Sequence, residues 1–131
     1  MRMLSRAGMV LLGVLFIAAG VNHFLMPAFY RRIMPPYLPW PDELVLLSGV
    51  LEIVFGLLLL LPRTRRLGAW GIVVLLILFL PVHIHMAGNP ADYPTLAPIF
   101  LWLRLAGQGL LIAWAAAYVQ VRPQTAAPAE A

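Results

Sequence analysis

The stretch SGVLEIVFG, residues 48–56, decides how this chain folds, because it places one carboxylate in a segment with the composition of a membrane-spanning helix. An ionisable side chain at that depth costs at least about 2.5 kcal/mol unless it is neutralised or paired. Ser48, Glu52 and Gly56 follow one another at i, i+4 and i+8, so they share one row of a helix, with Gly49 beside it. Because small residues let a neighbouring helix approach closely, we expect Ser48, Gly49 and Gly56 at a helix contact and a partner for Glu52.

The composition around this stretch is that of an integral membrane protein. The 131 residues are 63% hydrophobic and 11% charged, whereas soluble domains are roughly 45–50% apolar. The net charge of +4 comes from Arg alone, and the Arg residues cluster at the ends of apolar runs, which indicates topology signals and a lipid bilayer as partner rather than nucleic acid. The absence of Cys excludes disulfides and thiol redox chemistry carried by the chain itself.

Four long apolar runs predict an all-α fold, a bundle of four transmembrane helices forming one domain over residues 1–121. Each run is close to the length that crosses a hydrocarbon core of about 30 Å. The predicted spans are about 7–25, 44–61, 67–85 and 98–119. The proline-rich segment 27–43, with its Tyr and Trp side chains, predicts a loop on the membrane surface, and residues 122–131 predict a disordered cytoplasmic tail.

The distribution of Arg predicts how the spans are oriented. The short connection with Arg63, Arg65 and Arg66 is cytoplasmic by the positive-inside rule, and segment 87–97, which has no positive charge, lies outside. We therefore expect an up-down-up-down topology with both the N and C termini cytoplasmic. An alternative is that the first run, after its basic start, is a cleavable signal peptide, although it is long for one.

Polar side chains collect near the outer ends of the predicted spans. Glu52 and Arg104 both fall roughly 9–12 Å below the outer surface of the apolar core, so we expect them to pair. Such a pair could also serve only to fix the helix register. The one-sided distribution favours a pocket open to the outer face, lined by Asn22, His23, Glu52, His83, Arg104 and Gln108, with Tyr30, Tyr37 and Trp40 as a candidate lid.

Three histidines raise the question of a metal or cofactor. His83 and His85 are about 200° apart around a regular helix, so they share a face only if Pro81 unwinds it. A metal site of His23, His83, His85 and Glu52 has no diagnostic spacing and is a minor alternative. A haem between His23 and one of the other two is another.

Several motifs in chain order resemble the DoxX-like family of small bacterial membrane proteins. They are GVNHFLMP (20–27), MPPYLP (34–39), SGVLEI (48–53), PRTRR (62–66) and PVHIHMA (81–87). The resemblance implies a bundle of four transmembrane helices in the bacterial inner (cytoplasmic) membrane. It also implies an association with thiosulfate and quinone redox systems or oxidative-stress complexes, and the animal relatives include a receptor-assembly chaperone.

Three functions remain open on the sequence. The first is an accessory, non-catalytic membrane protein whose pocket binds a small ligand, a lipid or a partner, either a second copy in a homo-oligomer or another membrane or periplasmic protein. The second is a subunit of a quinone-linked membrane oxidoreductase in which Glu52 or a His exchanges protons. The third is a transporter or channel, which a monomer with an apolar cytoplasmic half does not favour.

Overall fold

The computed structural model describes residues 6–120, and within them the chain forms five α-helices, one short 3₁₀ turn and no β-strand. The helices are α1 (Arg6–Leu25), α2 (Pro27–Ile33), α3 (Pro41–Leu60), α4 (Arg65–Gly88) and α5 (Pro98–Val119), and the 3₁₀ turn is Pro90–Asp92. The predicted all-α class is therefore confirmed. Residues 1–5 and 121–131, which include the predicted tail, lie outside the described residues.

Helices α1, α3, α4 and α5 have the length and composition to cross a membrane. A helix of 20 residues spans about 30 Å, which is the thickness of a hydrocarbon core. Their outward side chains are apolar and well exposed, for example Val14 (50%), Leu47 (54%), Leu78 (64%) and Leu110 (73%). So large an exposed apolar surface is unfavourable in water but suits contact with lipid tails, and it indicates a multi-pass membrane protein.

Three boundaries differ from those predicted, and each difference involves a proline. Helix α2 occupies the start of the predicted loop 27–43, because Pro27 stands in its first turn, where the missing N–H has no helical acceptor. Helix α3 begins at Pro41, earlier than predicted, for the same reason. Helix α4 continues through Pro81 to Gly88, because transmembrane helices tolerate an interior proline when neighbouring groups satisfy the freed carbonyl.

Helices α1 and α3 meet at four glycines, which we call the glycine seam. A Cβ atom added to Gly20 would lie 2.5 Å from the carbonyl oxygen of Gly49, and one added to Gly56 would lie 2.8 Å from the carbonyl oxygen of Gly13. Because Gly20 meets Gly49 and Gly13 meets Gly56, the two helices run in opposite directions where they touch. Only glycine allows backbones to approach this closely.

The connection between α3 and α4 closes the end of α3. Thr64 Oγ1 donates a hydrogen bond of 2.9 Å to the Leu58 carbonyl, one of the last carbonyls of α3 without a helical donor. One turn into α4, Gly68 lies directly against the backbone of Leu59. The basic connection therefore holds the two helices together at this end.

Two apolar clusters pack the bundle and leave the polar side chains between them. The first joins α1, α3, α4 and α5 and consists of Met9, Leu12, Phe16, Leu59, Ala69, Ile72, Val73, Leu76, Ala115, Tyr118 and Val119. The second joins α2, α4 and α5 and consists of Ile33, Met86, Ala87 and Leu101. The polar positions of α1, α3, α4 and α5 fall along the chain between these clusters.

Candidate functional site

A cavity of about 390 Å³ lies between the helices, and its wall is mostly apolar. All five helices contribute to it. Its polar and ionisable wall consists of His23, Tyr30, Ser48, Glu52, His83, Arg104 and Gln108. The structure thus brings five of the six predicted pocket residues to one space. The sixth, Asn22, is not part of the wall and instead donates a 2.7 Å hydrogen bond to the hydroxyl of Tyr30.

Glu52 is paired with His23 of the neighbouring helix. His23 Nε2 lies 3.0 Å from Glu52 Oε2, and the two side chains are 9% and 8% exposed. Among the described residues, Oε2 accepts no hydrogen bond of good geometry, so its contact with His23 is an ion pair by distance. The glycine seam explains the pairing, because the backbone at Gly49, one turn before Glu52, lies against the Cβ of His23.

The other nitrogen of His23 fixes the orientation of the ring. His23 Nδ1 lies 2.9 Å from the Val45 carbonyl, which can only accept, so Nδ1 carries a proton. Ser48 Oγ donates to the same carbonyl at 2.9 Å and lies 3.1 Å from Nδ1. The ring thus presents Nε2 to Oε2 of Glu52 at 3.0 Å, and the two side chains form an ion pair when the imidazole is protonated.

Tyr30 covers the His23 side of the cavity. Its ring stacks on the imidazole with a centroid separation of 3.8 Å and an interplanar angle of 26°. Helix α2, which carries Tyr30, therefore packs an aromatic side chain directly over the buried pair. Of the three predicted lid residues, only Tyr30 lines the cavity. Tyr37 and Trp40 are 64% and 71% exposed.

Trp40 has a different structural role from the predicted lid. It precedes α3 with a φ of 50°, the one left-handed non-glycine residue in the described part of the chain. A left-handed conformation costs roughly 1–2 kcal/mol for a residue with a Cβ. Trp40 therefore holds a strained backbone conformation at the start of α3.

Arg104 is not paired as predicted. The ion pair of Glu52 is with His23, and the buried Nε of Arg104 finds no hydrogen-bond partner within the described part of the chain. Equal depth in the membrane does not determine how a helix is rotated about its axis. The rotation of α1 relative to α3 brings His23, and not Arg104, next to the Glu52 carboxylate. Arg104 is left as a cation on the cavity wall.

The two histidines of α4, His83 and His85, lie on different faces of the helix and contact different groups. His83 lines the cavity, and none of residues 6–120 offers a hydrogen-bond partner to its buried Nδ1. His85 instead interacts with Asn89, whose Nδ2 lies 3.3 Å from its Nδ1, and its ring meets that of Tyr37 edge-on at 6.0 Å. The regular helix through Pro81 keeps them on separate faces.

Gln108 joins α5 to α4. Its side-chain amide donates a 2.8 Å hydrogen bond to the Leu76 carbonyl, and the side chain is buried. Pro81 removes the helical donor of the next carbonyl along α4, that of Ile77, so the two helices are joined where the hydrogen-bond ladder of α4 is interrupted. The Gln108 amide therefore uses one of its donors to hold α5 against α4.

A second, more open space of about 480 Å³ adjoins the cavity along α4 and α5. We call it the α5 groove. Its wall consists of His83, Arg104, Gly107, Gln108, Leu110, Leu111 and Trp114. Four of these residues, His83, Arg104, Gln108 and Leu111, also line the cavity, so their side chains separate the two spaces. The sequence analysis did not predict the groove. The sequence feature that could have indicated it is Gly107, one turn from Arg104.

The described residues do not assemble a metal site from the predicted ligands. Among residues 6–120, no group of three or more His, Cys, Asp or Glu side chains is placed to hold a metal ion. Both ring nitrogens of His23 are engaged, by Val45 and by Glu52. To ligate a haem, His23 would have to leave the carboxylate unpaired.

The comparisons with known proteins place the chain in a family. No curated protein and no solved structure matches it. Residues 12–119, from the middle of α1 to the end of α5, match the family described as Domain of unknown function (DUF8561). Because the match covers most of the 131 residues, the chain belongs to this family, whose description assigns no function.

Proposed function

We propose that this protein is an accessory, non-catalytic protein of the bacterial inner membrane that binds a small amphipathic molecule in the cavity between its helices. The observation that carries the proposal is the cavity itself, about 390 Å³ with an apolar wall and a few convergent polar groups. Small-molecule sites in proteins have this character and fall in the range of about 300–1,000 Å³. A closed structural bundle would have filled the space with side chains.

The orientation in the membrane follows from the arginines. The connection between α3 and α4 carries Arg63, Arg65 and Arg66 and belongs on the cytoplasmic side by the positive-inside rule. An up-down-up-down bundle then has both termini in the cytoplasm and its polar wall toward the outer half. The resemblance to DoxX-like proteins supports the bacterial inner membrane.

Filling the cavity tests the proposal. Ala19 lines the cavity, whereas the adjacent Ala18 is exposed on the outer face of α1. Ala19→Phe and Ala18→Phe therefore add the same side chain inside and outside the cavity. Native mass spectrometry of the protein released from native membranes should show a bound amphiphile in the wild type and in Ala18→Phe, and none in Ala19→Phe.

Two results would contradict the proposal. One is equal retention of the molecule in both variants, which would place it outside the cavity. The other is a wild-type protein that carries no molecule and binds none from a panel of single-chain fatty acids, alkyl phosphates and alcohols. Circular dichroism of both variants would confirm that their helices are intact.

A quinone-linked redox role is a second candidate, and the His23–Glu52 pair favours it. The pair lies at the edge of an apolar cavity, where a proton carried by the imidazole or the carboxyl could pass to a reduced ring. Lipid extraction and absorption spectroscopy of the purified protein would show a quinone. Binding of a short-chain quinone that is unchanged in Glu52→Gln would remove the pair from such a site.

A further inference from the structure

We infer that the ligand is an amphiphile with an anionic headgroup, that Arg104 binds this headgroup, and that the molecule enters from the bilayer through the α5 groove. This inference rests on the proposed function, since it names the ligand class and the route for the same cavity.

The charge of the cavity wall is the first argument. Glu52, the one carboxylate among the residues that line the cavity, is already engaged by His23 at 3.0 Å. Arg104 carries a guanidinium cation, and its buried Nε has no hydrogen-bond partner among residues 6–120. The wall therefore presents a cation with which no described carboxylate forms an ion pair, in a setting where a lone charge is costly. A bound anion removes that cost.

The hydrogen-bonding groups beside Arg104 also favour an anionic headgroup. His83 Nδ1 is buried without a partner among the residues that the structure describes and can donate, and His83 lines the same two spaces as Arg104. A guanidinium binds a carboxylate or a phosphate through two parallel N–H donors, and such charge-assisted bonds are about twice as strong as neutral ones. Carboxylate and phosphate headgroups share this chemistry.

The route follows from the α5 groove. Arg104, His83 and Gln108 separate the groove from the cavity, so a molecule in the groove already touches the cation. Leu110 on the groove wall is 73% exposed, on a helix whose other exposed side chains include Ile99, Trp102 and Leu103. A space bordered by such a surface opens to lipid tails, which suits a molecule with an alkyl chain.

Gly107 keeps the groove open. A Cβ at Gly107 would meet no atom of residues 6–120 within 4 Å, and the same holds at Gly109. Both positions can therefore accept a larger side chain without a backbone clash. Only Gly107 lines the groove, so Gly107→Phe obstructs the proposed route and Gly109→Phe is its matched control.

The headgroup is tested with four probes: dodecanoate, dodecyl phosphate, dodecanol and inorganic phosphate. Binding to the full-length protein is measured by native mass spectrometry and by the shift in melting temperature. We expect both alkyl anions to bind the wild type, with dodecanol at least about tenfold weaker because it lacks the charge-assisted bonds. Tighter binding of dodecanoate or of dodecyl phosphate identifies the headgroup, and binding of inorganic phosphate alone would exclude a lipid and overturn the inference.

The role of Arg104 is tested with Arg104→Gln and Arg104→Lys. Arg104→Gln should weaken the alkyl anions at least about tenfold and leave dodecanol unchanged, while Arg104→Lys retains part of the preference for anions. An unchanged preference in Arg104→Gln would overturn the inference. Dodecanol binding also reports on folding, since a collapsed cavity would lose all the alkyl probes.

The route is tested by the exchange of deuterated for unlabelled dodecanoate. Gly107→Phe should slow the exchange severalfold, and Gly109→Phe should leave it at the wild-type rate. Equal rates in both variants would overturn the route. If dodecanol binds as tightly as dodecanoate and Ala19→Phe blocks both, the proposed function stands and this inference fails; if no alkyl probe binds the wild type, the proposed function itself fails.

Discussion

Glu52 and His23 face each other beside the glycine seam, with Oε2 and Nε2 3.0 Å apart and both side chains almost fully buried. The ring is held from its other side by the Val45 carbonyl, at 2.9 Å from Nδ1. A second nitrogen anchored in this way fixes the tautomer and the orientation of an imidazole. The carboxylate of residues 48–56 is thus paired within α1 and α3, without a contribution from α5.

Breaking the pair should destabilise the protein more than replacing it. His23→Leu leaves the carboxylate without its partner, and we expect it to lower the free energy of unfolding by about 3–5 kcal/mol. The double variant His23→Leu, Glu52→Leu should regain most of this loss, because neither charge remains to be buried. Unfolding in mixed detergent micelles measures both. Additive losses in the double variant would contradict the pairing.

The glycine seam should not tolerate even one methyl group. Gly20→Ala forces a Cβ to within 2.5 Å of the Gly49 carbonyl oxygen, and overpacking of this kind costs about 1–3 kcal/mol. Gly107→Ala is the matched control, since nothing lies within 4 Å of its Cβ. Melting temperatures of the two variants check the difference, and a Gly20→Ala protein as stable as Gly107→Ala would exclude the close contact.

The hydrogen bond between α5 and α4 should make a measurable but modest contribution. Gln108→Leu removes the 2.8 Å bond to the Leu76 carbonyl, and side-chain hydrogen bonds between membrane helices average about 0.6 kcal/mol, with a maximum near 1.7. Leu110→Ala, on the exposed side of α5, serves as the control. A Gln108→Leu variant at least as stable as the wild type would show that the bond contributes nothing.

Tyr30 should stabilise the site through its ring and its hydroxyl separately. Tyr30→Phe keeps the stack on His23 and loses the 2.7 Å bond from Asn22, at a cost of about 1 kcal/mol. Tyr30→Leu also loses the stack, worth a further 0.5–1.5 kcal/mol or so. The free energies of unfolding test this order, with Tyr37→Phe as an exposed control that should match the wild type. Equal stabilities for Tyr30→Phe and Tyr30→Leu would argue against the stack.

Composition predicted the four long apolar helices, because the length and apolar character that a membrane crossing requires are visible in the sequence. Segment 27–43 was less well predicted, because a proline can either end a helix or begin one. Pro27 and Pro41 each begin a helix. The expected pairing of Glu52 with Arg104 failed for a different reason. Nearly every position of α1 and α3 is apolar, so hydropathy gives depth but not rotation, and the rotation depends on backbone contact at glycines.

Because hydropathy does not give helix rotation, the pocket too could be predicted only in part. The polar residues of the cavity wall could be named from the sequence because each stands out in an apolar helix. Its apolar wall, with residues such as Phe16 and Phe79, could not, because these look like every other core residue. The α5 groove depends on the missing side chain at Gly107. A glycine predicts a groove only when the positions of the neighbouring helices are known.

The glycine seam also makes the helix contacts of the bundle unequal in kind. Helices α1 and α3 touch backbone to backbone, and Gly68 brings α4 against the backbone of α3 in the same way. The glycines of α5 at 107 and 109 make no such contact with the described residues, so α5 is joined to α4 through side chains. Any widening of the cavity at α5 would therefore stretch side-chain packing and the Gln108 hydrogen bond, and would leave the backbone contacts of the other helices in place.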